Sequence, residues 1–133
     1  MSAIETMQRA LALFNEGRFH ESAAILAEDV RWYPRVGLVE APVLAGREQI
    51  VEIWEEQSRM FGGPGKFTME ALAYEDLGGG TVLTPIRARG VGSASGIAVD
   101  QEFVMVTTFR NGAPVRVDSY ATRQEALAAL DLR

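Results

Sequence analysis

Four charged residues late in the chain form the pattern best suited to acid–base chemistry: Arg87, Arg89, Glu102 and Asp118. A carboxylate oriented by a guanidinium can activate a water or take a substrate proton. All four fall in strand-like segments, where side chains two apart share a face. That parity groups them on the side of a sheet turned away from any enclosed space. There they read as cross-strand ion pairs or as part of a dimer interface. A bulge at Pro85 or near Gly90 would flip the parity and turn them inward. Asp100, Gln101 and Glu102 follow a glycine-containing loop and read as a solvated strand end or a cavity rim. Glu40 is a further candidate, as the carboxylate of the Arg35–Ala45 loop. Over an apolar mouth, desolvation would raise its pKa; otherwise it is an exposed loop charge.

Other chemistries find little support. Without cysteine there is no disulfide, thiolate nucleophile or thiolate metal site, and one histidine precludes a His-rich metal centre. That residue, His20, reads as a surface side chain. Gly90-x-Gly92 and Gly62-Gly63-Pro64-Gly65 lack the full spacing and the strand-to-helix context of a phosphate loop. Gly92-Ser93-Ala94-Ser95-Gly96 lacks the nucleophile-elbow pattern, and the scattered carboxylates match no calcium loop. No metal and no cofactor are expected. The net charge is −5, with no basic cluster beyond Arg87 and Arg89, which argues against nucleic acid. Neither an apolar run of about 18 residues nor a signal-type start is present, so no membrane partner is expected and cytoplasmic is the default location. With 133 residues, 47% apolar and 23% charged, the chain reads as one globular domain over 1–133.

Local signals give the elements that must position these groups. Ser2-x-x-Glu5 and Thr122-x-x-Glu125 are capping boxes, in which two side chains satisfy orphan N–H groups at a helix start. Ile4, Met7, Leu11 and Phe14 then mark one face of a helix over Ala3–Glu16, stopped by Gly17. A second helix is expected over Phe19–Ala27, a strand over Asp29–Pro34, a loop over Arg35–Ala45 and a third helix over Arg47–Phe61. Four strands follow: Lys66–Glu75, Thr81–Val91, Ile97–Arg110 and Ala113–Ala121. Asn111-Gly112 joins the last two as a type I′ hairpin, because both residues tolerate positive φ. Pro85 cannot donate to a ladder, so it predicts an edge or a bulge. Helices followed by a meander of long strands give an α+β architecture, with helices on one face of a curved antiparallel sheet. Such a sheet encloses a cone whose mouth is a natural ligand site.

Leu11–Phe19, Leu26-Ala-Glu-Asp-Val-Arg-Trp32, Leu44-Ala-Gly-Arg-Glu-Gln-Ile50, Thr108-Phe-Arg-Asn-Gly112 and Tyr120-Ala-Thr-Arg-Gln-Glu-Ala-Leu127 carry a family resemblance. Over nearly the whole chain the sequence resembles the SnoaL-like branch of the nuclear-transport-factor-two-like superfamily. The resemblance implies a cone-shaped antiparallel sheet wrapped around N-terminal helices, a cystatin-like α+β barrel with a short C-terminal helix. It also implies a changed catalytic inventory. The base, tyrosine and oxyanion aspartate of ketosteroid isomerases of this fold match Pro34, Ala10 and Met105. The Asp–Arg–Asp set of limonene-epoxide-hydrolase-like enzymes matches Ser119, Ile86 and Ala88, and their water-holding Tyr and Asn fall on Trp32 and Pro34. The acid/base aspartate of SnoaL-type cyclases falls near Met105.

By the same resemblance Trp32, Pro34, Trp54, Ile86, Ala88, Phe103, Met105, Val117 and Ser119 line the cone, with Gln101 and Thr107 as sparse polar groups. The function it implies is an enzyme of cyclase, isomerase or hydrolase type acting on an apolar small molecule. The alternatives are a non-catalytic apolar-ligand binder and a dimerising interaction domain. A homodimer is expected through the convex sheet face, presenting Arg87, Arg89, Val104, Val106 and Asp118.

Overall fold

The computed structural model describes residues 1–36, 39–40 and 42–131. The chain opens with α1 (Ala3–Asn15), whose capping box is complete: Glu5 N–H donates to Ser2 Oγ, and Ser2 N–H donates to the Glu5 carboxylate. The helix ends in a Schellman turn, in which Gly17 N–H donates to Phe14 O and Arg18 N–H to Leu13 O, both at 2.9 Å. Gly17 sits at φ +79°, and a Cβ there would lie 2.3 Å from Cβ of Pro64, so only glycine lets the Gly62–Gly65 turn close on the helix end.

α2 covers Phe19–Ala23, shorter than expected, and leads through a turn to β1 (Arg31–Tyr33). The region read as a loop holds short pieces of strand, β2 (Arg35–Val36), β3 (Val39–Glu40) and β4 (Leu44–Ala45); residues 37, 38 and 41 lie outside the described ones. α3 (Arg47–Met60) follows. Arg47 at its start donates from Nε to Leu26 O at 2.8 Å and from Nη2 to Ala24 O at 3.1 Å, tying it to the end of α2.

The long strands are β7 (Thr81–Val91), β8 (Ala98–Arg110) and β9 (Ala113–Tyr120). The expected strand Lys66–Glu75 is broken into β5 (Thr68–Ala71) and β6 (Glu75–Gly78), which pair side by side along β7. The seven-stranded sheet runs β4-β1-β9-β8-β7-β5, with β6 also on β7. It is antiparallel except that β1 lies parallel to β9.

Pro85 lies within β7, opposite Val104 of β8, and not on an edge. It is tolerated because it falls between the β5 and β6 pairings, where its carbonyl accepts from Leu72 N–H and no ladder donor is required of it. The β7–β8 register is unbroken from Thr81↔Thr108 to Val91↔Ala98, so neither Pro85 nor Gly90 flips the parity. Asn111 (φ 54°) and Gly112 (φ 80°) make the β8–β9 turn, and a register shift follows between Thr108 and Phe109.

Two cores result. On the concave face Phe14, Phe19, Leu26, Val30, Ile50 and Trp54 pack against Met69, Ile86, Ala88, Met105 and Val117. On the convex face Leu83, Val104 and Val106 are covered by Ala126, Leu127 and Leu130 of α4 (Arg123–Asp131). Glu125 N–H donates to Thr122 Oγ1 at the start of α4, and the Glu125 carboxylate accepts from Ala121 N–H, one residue before the cap. Val104 and Val106 therefore do not present a free apolar surface, contrary to expectation, because the C-terminal helix folds back over them. No helix is long and apolar enough to cross a membrane among the described residues.

Candidate functional site

Four rings converge between the helices and the sheet. Trp54 of α3 meets Phe14 edge-on at 5.2 Å, Trp32 edge-on at 5.9 Å and Phe19 at 6.0 Å. Edge-to-face contact is the favoured geometry for such rings, so the cluster fixes the spacing of α1, α2, α3 and β1. Beside it lies a cavity of about 40 Å³. α1 supplies Met7, Ala10, Leu11 and Phe14 to its wall, and the α2 region supplies Ser22 and Leu26. The sheet side is Trp32, Met69, Met105, Thr107, Pro114 and Val117, with Trp54 between the layers. Polar atoms are few. Ser22 Oγ donates to Ala10 O at 2.7 Å, whereas Thr107 Oγ1 has no partner among the described residues. Among the described residues no titratable side chain lines this wall.

Among the residues expected to face the cone, Trp32, Trp54, Met105, Thr107 and Val117 come together at the cavity. Ile86, Ala88 and Ser119 are buried away from its wall, Phe103 and Pro34 are half-buried, and Gln101 is exposed near the start of β8. Two of the positions matched to isomerase catalytic residues, Ala10 and Met105, border the cavity, and the third, Pro34, does not. Met7, Leu11 and Phe14 were legible as a helical stripe. Nothing local in the sequence says that Met69, Pro114 and Ser22 meet them.

The charged candidates of the long strands lie on the convex face, and Arg87, Arg89 and Asp118 engage separate partners. Arg87 donates to both carboxylate oxygens of Asp100, at 2.9 and 2.8 Å. This bidentate contact, together with the nearby charge of Arg89, holds the Asp100 carboxyl below its ordinary pKa. Arg89 reaches Glu70 at 3.4 Å. Asp118, only 4% exposed, takes two bonds from Arg116, at 2.9 and 3.1 Å, and the guanidinium lies 4.3 Å from the centre of the Tyr33 ring. The Asp118 hydrogen bonds raise the Arg116 pKa further. Arg87 and Asp118 are on strands separated by β8, so the expected constellation does not assemble around one point. Glu40 is placed in the backbone of β3 opposite Arg35, and its side chain lies outside the described residues. His20, 3.8 Å from Glu55, is a surface group. Among the described residues no cluster of His, Cys, Asp and Glu has the arrangement of a metal site.

The sequence profile of the SnoaL-like domain matches residues 7–117. The chain belongs to the SnoaL-like family. Solved structures agree on the fold of this SnoaL-like chain. Bal32a, from a soil-derived mobile gene cassette, is similar with a TM-score of 0.78 and 23% identity, covering 94% of this chain and 92% of that one. An NTF2-like protein of unknown function from Burkholderia pseudomallei gives 0.76 and 18%, over 96% and 97%. SalBIII, an epoxide hydrolase/cyclase-like enzyme with a role in pyran ring formation in the polyether salinomycin, gives 0.75 and 17%, over 92% of each chain. No functionally curated protein matches the sequence.

Proposed function

We propose that this SnoaL-like protein binds an apolar small molecule on the concave side of its sheet. The observation that carries the reading is the cavity itself, walled by aliphatic and aromatic side chains and the Trp32–Trp54 pair, with no charge among the described lining residues. Its free volume, about 40 Å³, suits a functional group and not a ring system. Met7, Met69 and Met105 supply the adaptability that a larger guest needs, since an unbranched thioether repacks at little cost. A second reading, catalysis on the same guest, is supported by the likeness to SalBIII. Here it would act through positioning and exclusion of water, because the described lining residues include no acid or base.

The test is a thermal-shift screen against terpene epoxides, sterols, polyketide-like aromatics and fatty acids. A ligand at about 100 times its dissociation constant stabilises by roughly 2.7 kcal/mol, a shift of several degrees. Trp32→Ala is expected to weaken a hit at least about 10-fold, on the scale of a lost aromatic contact, whereas Gln101→Ala leaves it unchanged. Equal affinity in both variants, or a flat screen, refutes the pocket.

We further propose that the part of the convex face left open by α4, where Arg87, Arg89, Asp100 and Glu102 lie, pairs with its counterpart in a second copy. Its two signs of charge are self-complementary about a two-fold axis. A dimer is expected in sedimentation at micromolar concentration, weakening with salt. A clean monomer at low ionic strength rules the interface out.

A further inference from the structure

Thr107 and Thr84 are the two polar side chains on the concave face whose hydroxyls are least explained by the fold. Thr84 is 0% and Thr107 2% exposed, and neither Oγ1 has a hydrogen-bond partner among the described residues. Both point to the same side of the sheet. Thr107 stands opposite Val82 and Val117, and Thr84 opposite Met105, so the two threonines are diagonal neighbours on adjacent strands. Thr107 is in the cavity wall, beside Met105. Ser22, the other hydroxyl there, is already engaged with the Ala10 carbonyl.

A buried hydroxyl without a partner is unfavourable, and valine, of the same shape, would fill either position without that cost. The local β-propensity favours valine at least as well as threonine. Thr107, in an otherwise apolar wall whose other hydroxyl is already engaged, with Thr84 diagonal to it on the same face outside the wall, therefore marks where a guest presents a polar atom. The same wall limits what that atom is. A carboxylate or ammonium group would enter with no opposite charge among the described lining residues to meet it. A threonine hydroxyl can donate to a ketone oxygen or exchange hydrogen bonds with an alcohol.

We propose that Thr107, supported by Thr84, is the polar contact of the cavity, and that its ligand is a neutral, otherwise apolar molecule bearing a ketone or hydroxyl oxygen. This deepens the pocket reading above and rests on it. It separates neutral oxygenated terpenoid-like or aromatic ligands from fatty acids and amines, which the pocket reading alone does not.

The test compares four probes of one skeleton, 1-indanone, 1-indanol, indane and indane-1-carboxylate, by titration of the full chain. The ketone and the alcohol are expected to bind at least about 10-fold more tightly than indane, and the carboxylate more weakly than either. Thr107→Val should reduce the ketone–hydrocarbon ratio to near unity while leaving indane affinity unchanged. Thr107→Ser, which keeps the hydroxyl, should retain the preference. Free Thr107→Val should melt no lower than the parent. Equal binding of ketone and hydrocarbon to the parent, a comparison needing no variant, overturns the inference while leaving the pocket intact. So does a preference that survives Thr107→Val. Failure of all four probes to bind the parent overturns the pocket reading itself, and this inference with it.

Discussion

Trp54→Ala is expected to lower the melting temperature by roughly 10–20 °C. Trp54 is 8% exposed, and its indole touches three other rings contributed by α1, α2 and β1. Truncating a buried tryptophan costs about 3–5 kcal/mol, from lost burial and the void left behind. A domain of this length loses about 4 °C per kcal/mol, which gives the range stated. The neighbouring Ile53, 40% exposed on the outer side of the same helix, is the control. Ile53→Ala should change stability by no more than about 0.5 kcal/mol. Scanning calorimetry of both variants decides it. A loss of only about 1 kcal/mol at Trp54 would mean that the four-ring cluster does not hold the helices to the sheet. The variant also probes the site, because the void adjoins the natural cavity. If the folded fraction binds a bulky apolar probe more tightly than the parent does, Trp54 limits the size of the guest instead of gripping it.

The parts of the fold that local chemistry dictates were legible in the sequence. The caps at Ser2 and Thr122, the Gly17 stop and the Asn111-Gly112 hairpin each depend on residues within five positions of one another. Strand parity was equally readable, and it separates Met105 and Val117 from Arg87 and Asp118. Three features were not readable, because each is decided by a partner distant in sequence. The apolar stripe of α4 shows that the helix docks, but not that it docks on Val104 and Val106. Pro85 reads as an edge signal until the break between β5 and β6 is seen beside it. Of the residues that line the cavity, the family likeness marked Trp32, Trp54, Met105, Thr107 and Val117. The wall opposite, Met7 and Leu11 of α1 with Leu26 beyond α2, depends on how α1 and the segment after α2 pack over the sheet.

Arg116→Met provides the sharpest contrast between the two faces of the sheet. It should cost about 2–3 kcal/mol and leave apolar-ligand affinity unchanged. Asp118 is buried, whereas the Arg116 side chain is 41% exposed. Removing the cation therefore takes two hydrogen bonds from a desolvated carboxylate. Losing one partner of a fully buried pair costs about 3–5 kcal/mol and an exposed pair less than about 1, and this pair lies between those limits. Methionine keeps apolar contact with the Tyr33 ring, so the measured loss reports the charge and not the packing. Asp118→Asn should cost less, because a neutral amide tolerates burial better than a carboxylate that has lost its cation. Chemical denaturation gives the stabilities, and titration of the same samples gives the affinities. Because parity puts Asp118 across the sheet from Met105 and Val117, neither variant should change binding by more than a few-fold, nor any turnover the protein proves to have. A loss of about 1000-fold in turnover with binding retained is the signature of a missing acid–base group. It would place Asp118 in the chemistry and require the sheet to open toward its convex side. Loss of stability alone would make the Arg116–Asp118 pair a structural brace for the junction where β1 runs parallel to β9.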